Sequence, residues 1–199
     1  MPEEVRRPGA GWLGGLVTDR LRLRRWSGAD LEALAAMNAD PVVMEHFPKV
    51  LTAAESLEMM MRIERAIERD GYGFWAVEVL DSGLVAGFVG LQWVTAPALA
   101  FAPTLEVGWR LDRRFWGRGI ATEGALAAVA FAFAQLGVDE VVAYTAARNA
   151  RSRRVMERLG MQRDACDDFL FPSLPADDPL APHVLYRVGR AEWGGRGAS

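Results

Sequence analysis

Cysteine is almost missing from this chain of 199 residues: Cys166 is the only one. That excludes an intrachain disulfide and a cysteine-rich metal site. Histidine is nearly as scarce. His46 and His183 are the only two, too few for a metal centre without carboxylate help, so no metal is expected. Lys49 is the single lysine, and it lies far from any glycine turn. A nucleotide P-loop, which ends in Gly-Lys-Ser/Thr, is therefore ruled out. No apolar run reaches membrane-spanning length, so no membrane partner is expected. There is no excess of positive charge either: the net charge is −3, which gives no reason to expect nucleic acid as a partner. Met1 to Leu16 is charged and glycine-rich, without the apolar centre of a secretory leader. A reducing cytoplasm is the expected location.

What remains is the composition of a globular protein, 51% hydrophobic and 25% charged, with a length that suits one domain. Met1 to Val17 reads as a mobile N-terminal tail, residues 18–190 as the domain, and 191–199 as a C-terminal tail. Leu21 and Leu23 alternate with arginines as a first strand. Ser27-Gly28-Ala29-Asp30 opens a helix to about Ala39. Thr52-Ala53-Ala54-Glu55 is a capping box for a second helix, which Gly71 ends. Phe74 to Val79 and Leu84 to Val94 read as a hairpin around Asp81-Ser82-Gly83. Leu105 to Leu111 is the next strand. Thr122, Leu126, Val129, Phe133 and Leu136 recur at helical spacing, which predicts a helix from Gly119 to Leu136. A strand at Val141, a helix from Ala150, a strand within Gln162 to Phe171 and a last strand from His183 to Val188 complete an α/β pattern.

Two stretches carry chemistry. In Trp109-Arg110-Leu111-Asp112-Arg113-Arg114-Phe115-Trp116-Gly117-Arg118-Gly119-Ile120-Ala121-Thr122-Glu123, a strand gives way to a basic glycine turn and then a helix. Free N–H groups and the positive end of the helix dipole favour an anion there. The glycine spacing is not that of a dinucleotide fold; an ordinary tight turn is the alternative. The second stretch follows about 30 residues on, from Val141 to Met161. It reads as strand, Asn149 cap, short helix and glycine stop.

Together these stretches resemble the GNAT acetyltransferases. The first is similar to that family's pyrophosphate loop, the second to its Asn-x-x-Ser helix. The wording Leu-Glu-Val-Gly-Trp-Arg-Leu and Phe-Trp-Gly-Arg-Gly-Ile-Ala-Thr-Glu resembles the RimJ/RimL-like branch, in which Trp116 replaces the usual Gln or Arg. The resemblance implies a single-domain GNAT fold, α/β (α+β), with a mixed, bent sheet of about seven strands flanked by four helices. It implies acetyl-CoA as co-substrate and no metal. Its cofactor-binding positions would be Trp109, Arg110, Leu111, Trp116, Gly117, Arg118, Gly119, Ile120, Ala121, Thr122, Asn149 and Ser152. Of the arginines in these stretches, some would meet the cofactor's phosphates and others would simply be solvated.

The resemblance also implies catalysis. Acetyl transfer to an amine needs a base, a shared site for both reactants and donors for an oxyanion. Glu106 stands where a subset of the family keeps a catalytic glutamate; the alternative is a strand glutamate facing solvent or an arginine. Met156 occupies a place where many relatives carry a tyrosine acid, which leaves Ser152, Tyr144 or solvent to protonate the thiolate. The acceptor implied by the branch is a protein N-terminal α-amine, which a long open groove would favour; a closed aromatic pocket would favour a small amine such as an amino acid, polyamine or aminoglycoside. A non-catalytic acyl-CoA-binding regulator is a third possibility. Phe47, Trp75, Trp93 and the 95–103 loop are candidates for the acceptor wall, with His46, Gln92, His183 and Tyr186 as polar contacts. Core packing is the alternative for each. The apolar content is compatible with a homodimer.

Overall fold

The computed structural model describes residues 15–194. The elements in chain order are β1 (Leu16–Val17), β2 (Leu21–Arg24), α1 (Leu31–Ala39), α2 (Ala53–Asp70), β3 (Phe74–Val79), β4 (Val85–Val94), β5 (Thr104–Leu111), α3 (Ile120–Phe131), β6 (Glu140–Ala146), α4 (Ala150–Arg158), β7 (Gln162–Arg163), β8 (Phe169–Leu170), β9 (Pro182–Gly189) and α5 (Arg190–Gly194). All nine strands form one sheet, ordered β1-β2-β3-β4-β5-β6-β9-β7, with β8 also on β9. Every neighbouring pair is antiparallel except β5 and β6, which are parallel. This mixed sheet with helices on both faces has the layout expected of a single-domain GNAT fold.

The helices begin and end where local chemistry directs. At α2, the Thr52 hydroxyl accepts from the Glu55 N–H at 3.2 Å, and the Glu55 carboxylate accepts from the Thr52 N–H at 2.8 Å. Gly71 stops the helix in the left-handed region. The two faces of the sheet carry different helices. α3 covers the face on which Gly124 lies against Val89 and Phe131 meets the edge of Trp75. On the same face, α4 reaches β9, where the Tyr186 hydroxyl donates to Glu157 at 3.3 Å. α1 covers the opposite face, where Asn38 accepts from Arg110 at 2.8 Å. α2 packs beside α1.

Several expectations need correction. Among the described residues the sheet has nine strands where about seven were expected, and there are five helices where four were expected. Leu16 and Val17, expected within the N-terminal tail, instead pair with Leu23 and Arg22 as β1; residues 1–14 lie outside the described residues. The single strand expected within Gln162 to Phe171 is two short edge pieces, β7 and β8, separated by a turn of 3-10 helix at Ala165–Asp167. The C-terminal tail starts too early, since Arg190–Gly194 is helical; residues 195–199 lie outside the described residues. These elements are two to five residues long, too short to show a period of either kind. The helix predicted to Leu136 is α-helical to Phe131, and its last turn, Ala132–Leu136, is a π-helix.

Candidate active site

The site begins with a pairing that stops. Only two register pairs, Leu105 with Val141 and Glu106 with Val142, join β5 to β6. From Val107 to Leu111 and from Ala143 to Ala146 the parallel strands diverge. Their facing N–H and C=O groups are left as two inner edges, able to accept an extended ligand as a strand would be accepted. A cavity of about 690 Å³ opens at this fork, within the range of roughly 300–1,000 Å³ common for small-molecule sites.

The loop after β5 leads to the start of α3. Trp116 is fastened at the loop's start, its indole N–H donating to the Leu111 carbonyl at 2.8 Å, and the Arg151 guanidinium lies 4.3 Å above its ring. Gly117 and Gly119 have φ of 74° and 77°, a region costly for residues with a Cβ. The N–H groups of a helix's first turn have no intrahelical partner, and here that turn borders the cavity. α3 starts at Gly119 with no side-chain cap, unlike α2 and α4. Gly117, Gly119, Ile120, Ala121 and Thr122 line the cavity. Arg118 differs: its carbonyl accepts from Arg20 at 3.0 Å, and its side chain is absent from the cavity wall. Arg20 also binds Glu123 at 2.6 Å, which ties the loop to the β1–β2 turn.

Across the fork, α4 begins at Asn149. The Asn149 carboxamide oxygen accepts from the Ser152 N–H at 3.1 Å, and its nitrogen donates to Thr145 Oγ1 at 3.0 Å and to Ser152 Oγ at 3.1 Å. Ser152 Oγ therefore accepts from Asn149 and keeps its own hydrogen to donate. Asn149 and Ser152 both line the cavity, as do Arg151, Arg154 and Arg158. Those three arginines recur at i, i+3 and i+7, a single stripe on α4.

Glu106 sits at the apex of the fork, on the cavity wall. Although the residue keeps some accessible surface, its carboxyl is surrounded by protein. That burial pushes its pKa up to about 8, against a smaller opposing effect of the Tyr144 hydroxyl, which donates to it. The Tyr144 pKa is raised in turn, by burial and then by the nearby Glu106 charge. A carboxyl held near neutrality inside a cavity is matched to proton transfer.

The α1 side of the fork contains the acceptor-wall candidates, and strand pleating sorts them. Gln92 opposes Glu106, and Phe88 opposes Arg110, so these side chains share a face. Phe74 shares it through Gly90. The structure places Phe47, His46, Phe74, Phe88, Gln92 and His183 in the cavity wall. Three expectations fail by one residue of alternation. Trp75 follows Phe74 and points to the α3 face, where it is fully buried; Trp93 follows Gln92 and also leaves the cavity; Tyr186 lies against Arg153 and Glu157, on the face opposite His183. Sequence reasoning missed Phe74 and Phe88, which β-alternation from Glu106 and Gln92 would have found. The 95–103 loop contributes no residue to the cavity wall.

A family model described as an acetyltransferase (GNAT) domain matches residues 20–162. The chain belongs to the GNAT acetyltransferase family. It is 33% identical to the FsC-acetyl coenzyme A-N(2)-transacetylase of Aspergillus fumigatus, over 89% of this chain and 77% of that one. A GNAT-family acetyltransferase structure from Bacillus anthracis matches with a TM-score of 0.75 at 22% identity, covering 89% of this chain and 99% of the other. An acetyltransferase structure from Agrobacterium tumefaciens matches with a TM-score of 0.70 at 27% identity, covering 88% and 94%. This GNAT protein is thus an N-acetyltransferase, and GNAT enzymes use acetyl-CoA as co-substrate. Its residues fit that molecule: an uncapped helix start suits a pyrophosphate, and an unzipped strand edge suits a pantetheine arm. Among the described residues, no group of three or more His, Cys, Asp or Glu side chains could hold a metal. No described helix is long and apolar enough to cross a membrane.

Proposed function

We propose that this GNAT enzyme transfers the acetyl group of acetyl-CoA directly to a primary amine, with Glu106 as general base. The observation that carries this reading is the place of Glu106: a desolvated carboxyl at the apex of the β5–β6 fork, reached from both faces of the sheet through one cavity. Acetyl-CoA supplies an acetyl group activated as a thioester. The chain's own residues do the rest. The N–H groups at the start of α3 hold the pyrophosphate, with Arg154 and Arg158 adding charge nearby. The free inner edge from Val107 to Leu111 aligns the arm and offers an N–H to the developing oxyanion. Glu106 takes a proton from the acceptor, either from the ammonium before attack or from the amine nitrogen as the new C–N bond forms. Ser152, oriented by Asn149, has its hydroxyl hydrogen free for the departing thiolate.

The acceptor we propose is a small amine. The cavity must hold the cofactor's arm as well as the acceptor, and the acceptor side is narrowed by the rings of Phe47, Phe74 and Phe88. The Aspergillus relative is named for acetyl transfer to an N(2) position. A protein N-terminal α-amine is the second reading, favoured by the RimJ/RimL-like wording around Trp116. Thiol release from acetyl-CoA, run against small amines and N-terminal peptides, tests both. Release with small amines supports the first reading and release with peptides alone the second. Silence throughout, with acetyl-CoA still raising the melting temperature, would instead indicate a cofactor-binding regulator.

A further inference from the structure

Arg110 is a partly buried cation whose counter-charge is not supplied by the protein. It lies on β5, four residues beyond Glu106, and its side chain enters the acceptor side of the cavity. One guanidinium nitrogen donates to the neutral Asn38 side chain at 2.8 Å and lies 4.0 Å from the Met59 sulfur. The guanidinium lies 4.0 Å from the centre of the Phe47 ring and 5.3 Å from that of Phe88. Its Nε is buried with no hydrogen-bond partner. Among the described residues, no carboxylate forms an ion pair with Arg110. Asp40 and Glu45, carried by the segment between Asn38 and Phe47, are engaged elsewhere: Asp40 pairs with Arg113 at 3.1 Å, and Glu45 with Arg151.

A buried guanidinium that faces only rings, a thioether and an amide carries a desolvation cost that the protein leaves uncompensated. Burial draws its pKa down to about 10, which still leaves it charged at neutral pH. Arginine is the side chain best shaped to take a carboxylate through two parallel hydrogen bonds.

We propose that Arg110 binds a carboxylate on the acceptor, so that the acceptor is a small amine bearing a carboxylate several bonds away. The inference rests on the acetyltransfer reading above and names its substrate class. Alternation along β5 puts Glu106, Gly108 and Arg110 on one face, with the Phe74 ring packed against Gly108 between the two charged residues. Four residues of strand span about 13 Å. Neither charge figures among the influences on the other, so the two stand well apart, which favours an ω-amino carboxylate over an α-amino acid reacting at its own α-amine.

The test uses matched pairs: ω-amino carboxylates of increasing length and the corresponding carboxamides, with the parent, Arg110→Gln and Arg110→Lys. In the parent, the acid should exceed its amide in kcat/KM by about tenfold or more, mainly through KM. Arg110→Gln should bring that ratio close to one, whatever it does to the amide rate itself, and Arg110→Lys should retain part of the preference. A parent ratio near one would overturn the proposal, and so would an unchanged ratio in Arg110→Gln. Equal losses on acid and amide would make Arg110 a pin for α1 and also overturn it. The parent's ratio decides even if Arg110→Gln does not fold. If no amine is acetylated, the acetyltransfer reading fails separately. Calorimetry with CoA present then decides here: binding of the acid but not its amide supports the carboxylate site, and equal or absent binding rejects it.

Discussion

The Tyr144 hydroxyl faces the Glu106 carboxyl across the point where β5 and β6 part, and each shifts the other's titration. Because the carboxyl titrates at about 8, it is mainly protonated at neutral pH, and the base form grows as pH rises. Acetylation should therefore accelerate with pH and level off above about 8. Glu106→Gln should lower kcat by roughly 10²–10⁴-fold and remove the inflection, while acetyl-CoA affinity is kept. Tyr144→Phe removes a donor to the carboxylate and should move the inflection upward. Thiol-release rates across pH check all three. Superimposable profiles for parent and Glu106→Gln would exclude the base role.

The same group makes stability depend on pH. In the unfolded chain Glu106 returns to an ordinary value of about 4.3, whereas in the folded chain it titrates at about 8. Between these values the folded state holds a proton that the unfolded state lacks, so stability falls as pH rises through that window. Burial holds His46 and His183 below the usual histidine value, so their contributions are complete above it. Urea midpoints from about pH 7 to about pH 9 should fall in the parent and change less in Glu106→Gln.

Gly119→Val should abolish tight acetyl-CoA binding. A branched side chain at φ 77° is strained by about 1–2 kcal/mol or more, and the loop can relieve that strain only by turning its amides away. Calorimetry should show the loss, with circular dichroism unchanged. Full affinity in the variant would separate this loop from the cofactor.

Asn149→Ala removes both the α4 cap and the support of Ser152. The lost cap should cost about 1 kcal/mol, or about 2–4 °C in Tm. If Ser152 assists the departing thiolate, kcat should fall more than this change in stability explains. A Tm shift with unchanged kcat would confine Asn149 to capping.

Trp75→Ala should destabilise the fold by roughly 3–5 kcal/mol with no selective change in acceptor KM. Phe47→Ala, in the cavity wall and 38% exposed, should do the reverse. Chemical denaturation paired with acceptor kinetics on the two variants distinguishes these roles.

This contrast also marks where sequence reading reached its limit. The capping box at Thr52, the left-handed glycines and the Asn149 cap are local features, settled by neighbours in the chain, and all were legible. Glu106, Trp116 and Ser152 were legible through motif wording. Acceptor-wall residues depend on which side of the sheet a strand presents, and bulky aromatics suit either side. Trp75 and Phe74 are adjacent and equally apolar, so only the register of β3 against β4 separates them. Arg110 was read as part of a basic, cofactor-facing run, because its lack of an acidic partner emerges only after α1 has packed over β5. The strands β1, β7 and β8 exist through pairing with longer neighbours and have no pattern of their own.

The join between β5 and β6 has a mechanical consequence. Two register pairs are all that lace β1 through β5 to β6 through β9, so the sheet has a seam. An extended ligand laid along the open part of the seam would supply the missing rungs and act as a temporary strand. The protein would then be stiffest while loaded and loosest after release. Amide exchange from Val107 to Leu111 would report occupancy directly, as a zipper does by being closed or open.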